Sequence, residues 1–173
     1  IRAKLKGYEL KTCDSAITYH FVSQTSRFSD DYKNDRLKIE MSSNRNFVRK
    51  WGLPIHGFNQ VRYWEENTFT YNTFTMGLKT RNKSLLYNVE PFFDKIDLGL
   101  IPDDYIENEQ KNTRYDLRSK FTLTDGVDVM ITETSPFTEE DISMLQLIRL
   151  SIPYYEPGEY KTGNMLIKIN RQI

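Results

Sequence analysis

From Phe74 onward the chain alternates short apolar runs with helical patterns, and that alternation limits its second half to very few folds. The runs FTMGLKT (74–80), IDLGL (96–100), VDVMITE (127–133) and NMLIKIN (164–170) have strand composition. Between them lie the helical patterns LLYNVEPFFDK (85–95), capped by Asn82 or Ser84, IPDDYIENEQKN (101–112) and EEDISMLQLIRLSI (139–152). Thr138 is the expected N-cap of the last, with acids in its first turn where the helix dipole favours them. Strands that alternate with helices predict an α/β fold with right-handed crossovers and a small, mostly parallel sheet carrying helices on its faces. The short apolar strands predict burial on both sides of the sheet. Residues 74–173 are expected to fold as a unit by themselves.

This half carries no phosphate-cradling glycine pattern, because Gly77, Gly99, Gly126, Gly158 and Gly163 stand apart from one another. Adjacent carboxylates occur at Asp30-Asp31, Asp103-Asp104 and Glu139-Glu140-Asp141, and all three groups suit helix starts. Asp103-Asp104 also follows a strand end, where α/β proteins often bind ligands.

The first half is organised around Tyr8 to Trp51. Ile1, Leu5 and Tyr8 have the spacing of one helix face, with Gly7 as a stop, so the chain reads as beginning inside a helix. Ala16 to Val22 (AITYHFV) has the composition of a buried strand and holds His20 near its end. A polar loop follows, and then a long charged helix with Ser29 as N-cap and Asp30 and Asp31 in its first turn. Leu37, Met41, Asn44 and Val48 form its stripe; Arg45, Arg49 and Lys50 load its last turn; Gly52 and Pro54 end it. That basic end reads either as a solvated complement to the helix dipole or as a cationic surface beside an acceptor or a lipid. Residues 55–73 read as an aromatic, irregular linker, with His56 a surface histidine.

Charge and cysteine content exclude several classes. The 24 basic and 24 acidic residues cancel, which argues against bulk nucleic-acid binding. Cys13 is the only cysteine, so no internal disulfide and no cysteine zinc site is possible. A reducing compartment fits, and a cytoplasmic location is expected. No apolar run approaches the roughly 18 residues that a membrane span needs.

Arg2, Gly7, Tyr8, Ser15, Ala16, His20, Ser23, Thr25, Ser26 and Arg27, followed by Asn44, Asn46, Phe47, Lys50, Trp51 and Gly52, form an ordered set. In this order they resemble the last third of the catalytic domain of family 2 glycosyltransferases, which are inverting, nucleotide-sugar-dependent enzymes of the GT-A fold. The resemblance covers residues 1–60. It implies a nucleotide-sugar donor, a glycan or other hydroxyl acceptor, and a divalent ion, Mn or Mg. It implies His20 as a metal ligand and Ser23, Thr25, Ser26 and Arg27 as diphosphate-binding groups. The family's nucleotide-binding half, its Asp-x-Asp metal motif and its acidic catalytic base would all lie upstream of Ile1, and none is present.

The expected organisation is therefore a C-terminal segment of a GT-A domain at 1–60, a linker at 61–73 and a small α/β domain at 74–173. Such a chain is expected to act in sugar transfer within a full-length parent and to be inactive alone. The alternative is a non-catalytic interaction or structural module whose aromatic-rich surface binds a protein partner or a glycan. Without the resemblance, His20 in its Tyr-His-Phe setting reads as a packed core residue, and Cys13 as a small buried one.

Overall fold

Strands β1 (Met76–Lys79), β2 (Lys95–Asp97), β3 (Val129–Glu133), β4 (Gly158–Thr162) and β5 (Met165–Ile169) form one sheet in the order β2-β1-β3-β5-β4. The computed structural model describes residues 6–9, 11, 30–51 and 74–173. The chain divides into two units, Ile1–Arg36 and Leu37–Ile173. In the first unit Gly7 takes φ +79, a left-handed conformation that glycine adopts without a Cβ clash. Helix α1 (Asp30–Trp51) starts there, and helical geometry breaks at Asp35. The expected linker, 61–73, lies outside the described residues, as do Ser29, Gly52, His56 and Cys13.

The second unit has the expected α/β fold. β2, β1 and β3 run parallel, while β5 is antiparallel to both of its neighbours, so the sheet is mixed. Register sets the faces: Met76, Val129 and Ile169 share a row, as do Ile96, Leu78, Ile131, Ile167 and Tyr160. These residues join one apolar core with Leu86 and Val89 of α2 (Leu86–Val89), Tyr105 and Ile106 of α3 (Asp103–Gln110), Leu145 and Ile148 of α4 (Glu139–Ser151), and Val48 of α1.

The other face differs from the two-sided burial that short apolar runs suggest. It presents Lys79, Lys95, Asp97, Thr132, Glu159, Lys161 and Lys168, all exposed or half-exposed. Burial therefore alternates along the strands in the manner of a sheet with one wet side. Gly77 is the exception on that face. A side chain there would crowd Thr124 and Val127 at 3.0–3.1 Å, so the loop before β3 packs on the sheet at this glycine.

Two helical expectations are corrected. The 85–95 pattern is a 3₁₀ turn (Lys83–Leu85), the single turn of α2 and a second 3₁₀ turn (Glu90–Phe92). Pro91 lacks the N–H that would continue an α-helix, and Lys95 already belongs to β2. In α1 only the end of the apolar stripe is buried: Leu37 is 76% and Met41 47% exposed, whereas Val48 is 2% exposed and the basic Arg45 joins it at 7%.

Helix α4 begins as expected. Thr138 Oγ1 accepts from Asp141 N at 3.2 Å, and Asp141 accepts from Thr138 N at 2.9 Å, a reciprocal capping box. The same carboxylate accepts Asn164 N at 3.2 Å, which ties the helix start to the β4–β5 turn. Those backbone bonds hold the Asp141 carboxyl below its usual pKa. Gly163 in that turn has φ +51, and a Cβ built on it would overlap the Asp141 carboxylate. Gly163→Ala is expected to cost about 1–3 kcal/mol, from strain and a disturbed cap together, read as a lowered urea midpoint. An unchanged midpoint would mean that the turn does not brace the helix.

Candidate functional site

Arg45 and Arg49 lie one turn apart on α1 and point at the α/β body. Arg45 donates through Nε and Nη2 to both Glu109 oxygens, at 2.8 and 2.6 Å. Arg49 donates to Glu90 Oε2 at 2.9 and 2.7 Å and to Glu109 Oε2 at 3.0 Å. Lys120 Nζ closes the other side of Glu90 at 2.6 Å, and the Tyr105 hydroxyl donates to Glu90 Oε2 at 3.1 Å. Glu90 and Glu109 are 0% and 3% exposed. The cluster sits where α1, α3 and the second 3₁₀ turn meet.

Its electrostatics are those of a closed structural network. Burial alone would raise the Glu90 pKa; the charges of Lys120 and Arg49, with their hydrogen bonds, outweigh it and hold the carboxyl low. Burial likewise opposes ionisation of Glu109, and the Arg45 and Arg49 bonds overcome it. Arg49 is pushed up by Glu90 against its own desolvation. Burial, then the Glu90 charge, pushes the Tyr105 phenol well above its usual value, so it stays a neutral donor. Both carboxylates are thus held as anions, with neither poised to take up a proton near neutral pH. The basic helix end is therefore neither a solvated dipole complement nor a cationic surface at Arg45 and Arg49, whose charge is spent inside the protein. Asn46, also in the family-like set, donates to Asn112 O at 2.8 Å and so ties α1 to the end of α3.

The carboxyl ends of β1, β2 and β3 are the second place to look, since the strand order reverses there. Thr80 donates to Glu133 through its hydroxyl, and Glu133 Oε1 accepts Phe137 N at 3.4 Å. Asp97 accepts Gly99 N at 2.9 Å. These carboxylates brace loops. Asp103 and Asp104 open α3, and Asp103 pairs with Arg118 at 2.5 Å in solvent, a contact of small energetic value. Among the described residues no three His, Cys, Asp or Glu side chains come together as a metal site.

A third feature is concave and apolar. A groove of about 400 Å³ runs between α4 and the β4–β5 hairpin, floored by Ile148, Ile152, Ile167 and Ile169 and rimmed by Tyr155, Tyr160, Lys161 and Thr162. Tyr155 meets Tyr160 edge-on at 5.2 Å between ring centres. This groove has the lining of a binding surface and lacks paired acids or a nucleophile beside a base.

His20, Ser23, Thr25, Ser26 and Arg27 lie outside the described residues. Sequence reasoning missed Glu90, Tyr105, Glu109 and Lys120. One signal was available for Glu90, an acid flanked by Val89, Pro91, Phe92 and Phe93 in an otherwise apolar stretch. No helix among the described residues is long and apolar enough to cross a membrane. No family model, curated protein or solved structure matches the chain.

Proposed function

We propose that the chain supplies the acceptor-side and diphosphate-side segment of an inverting, nucleotide-sugar-dependent glycosyltransferase, with its α/β unit an appended non-catalytic part. The observation that carries this reading is the ordered set from Gly7 and Tyr8 through Ser15, Ala16, His20 and Ser23 to Arg27, continued by Asn44, Asn46, Phe47, Lys50 and Trp51. The charged helix expected to close on the second part of the set spans Asp30–Trp51.

In this reading charge builds on the diphosphate as the sugar leaves. Arg27 meets it with a guanidinium, and Ser23, Thr25 and Ser26 with hydroxyls. His20 holds the divalent ion or donates to a phosphate oxygen. A bound Mn or Mg would neutralise leaving-group charge. His20 is the ligand that the resemblance implies. The acidic base that deprotonates the acceptor hydroxyl and the nucleotide-binding half come from outside these 173 residues.

In the complete enzyme His20→Ala is expected to lower turnover by about 10²-fold or more while leaving thermal unfolding unchanged, because the loss falls on the transition state. Arg27→Ala is expected to weaken donor binding through lost charge-assisted bonds. Wild-type turnover and metal dependence in His20→Ala would overturn the reading, as would sugar transfer by the 173-residue chain alone.

The groove beside α4 favours a second reading, an interaction module. Its aromatic rim over an aliphatic floor suits a partner chain or a glycan. Chemical-shift changes confined to Tyr155, Tyr160 and Ile167 on titration with an oligosaccharide would support it. A groove that binds nothing while His20→Ala abolishes transfer would leave the first reading standing alone.

A further inference from the structure

β4 is the last strand in the sheet order. Among the described residues no strand pairs with the outer edge of β4. Unpaired edges template association, and proteins blunt them with charge. Here the charges are Glu159 and Lys161, of opposite sign, exposed and two residues apart, so both lie on the wet face of the sheet. Glu159 meets Lys168 in solvent at 3.6 Å.

The hairpin fixes which backbone groups are free. Gly163-Asn164 is a two-residue connection between Thr162 and Met165. In such hairpins the flanking pair exchanges both backbone bonds, and bonded pairs then alternate along the ladder. Thr162, Tyr160 and Gly158 therefore direct N–H and C=O to β5. Glu159 and Lys161 direct theirs outward.

We propose that β4 pairs with β4 of a second copy, antiparallel, about a two-fold axis at Tyr160. An antiparallel partner must set outward residues against outward residues, and an axis at Glu159, Tyr160 or Lys161, which keeps the pairing centred on the strand, gives three registers. One faces Glu159 with Glu159, and one faces Lys161 with Lys161. The third faces Glu159 with Lys161 of the second copy, twice by symmetry. Like charges directly opposite repel and unlike charges attract, so the edge rejects two registers and selects the third. That register also forms both backbone bonds at each charged pair. It brings Tyr160 against Tyr160 of the second copy at a close, non-bonded position on the groove side, where Tyr155 already abuts it. The sheet then runs unbroken through both copies.

The test is sedimentation equilibrium of the 173-residue chain and of the variants Glu159→Lys and Lys161→Glu. The wild-type chain is expected to dimerise. Each single reversal puts like charges opposite at both pairs and is expected to weaken self-association about tenfold or more. Mixing the two variants restores complementarity, and a heterodimer of near wild-type affinity is expected. Both substitutions are at exposed positions, so unchanged thermal unfolding will show intact folds. A chain that stays monomeric at millimolar concentration overturns the proposal. So does a dimer that ignores the reversals, or a variant mixture that fails to associate.

Discussion

Glu90→Ala is expected to destabilise the Leu37–Ile173 unit by about 3–5 kcal/mol, as removal of one partner from a buried ionic network does. Alanine would leave Arg49 with Glu109 as its remaining carboxylate partner, and it would remove the carboxylate that holds Lys120. It would also take the Tyr105 hydroxyl's 3.1 Å acceptor. The loss comes mostly from the cations left behind in a poorly solvated place, not from the pair's own net value. Urea unfolding monitored by circular dichroism measures it. Glu90→Gln keeps the volume and a hydrogen-bonding carbonyl and is expected to lose less. A change below about 1 kcal/mol for Glu90→Ala would show that the cluster is open to water.

The same carboxylates give a pH dependence of definite sign. Glu90 and Glu109 both titrate below the ordinary carboxylate value in the folded protein. The unfolded chain therefore binds protons first as the pH drops. Their contribution is complete above an unfolded value of about 4.3 and fades as acid carries the pH down through the folded pKa values. In Glu90→Ala the acid-induced loss is expected to be shallower than in the wild type. The cluster also bears on the boundary expected from sequence. A chain cut to 74–173 would keep Glu90 with Lys120 but lose Arg45 and Arg49, so Glu109 forfeits both of its arginine partners and Glu90 one of its two cations.

Local signals in the sequence translated well into local structure. Thr138 with Asp141 three residues on is a capping signature, and it is the cap of α4. VDVMITE and NMLIKIN are rich in branched side chains, and each contains a strand. β4 was missed because GEYKT offers one aromatic among glycine and charges. Its signal was the Gly-Asn pair behind it, a two-residue hairpin turn in the wrong place for an isolated glycine. The direction of β5 follows from that turn. The buried charge cluster was out of reach for a different reason. Arg45 and Glu109 are 64 residues apart, and Arg49 and Glu90 are 41 apart. A basic helix end looks identical in sequence whether its partner is water or a carboxylate on another element. His20, Ser23, Thr25, Ser26 and Arg27 carry no local pattern, and only the ordered resemblance singles them out as a proposed metal ligand and proposed diphosphate-binding groups.

Leu145→Ala is expected to cost about 2–5 kcal/mol, with α4 itself unharmed, since alanine is the better helix former. Buried positions on and just after α4 are Asp141, Leu145, Ile148, Arg149 and Ile152, the 3.6-residue period of one face. Leu145 sits at the middle of that face, fully buried against the sheet core. The element is pinned on both sides, by the capping box at Thr138 and by Arg149, whose guanidinium reaches Asp94 and lies 5.0 Å above the Phe74 ring. A helix held at both ends cannot shift to fill the space a leucine leaves, so the cavity penalty is expected near the upper part of the range. Leu147, two residues on and 51% exposed, is the internal control, and its alanine variant is expected to change stability by no more than about 0.5 kcal/mol. Parallel urea titrations of the two variants decide the matter. Equal losses at 145 and 147 would mean that α4 does not dock on the sheet through the Asp141–Leu145–Ile148–Ile152 face.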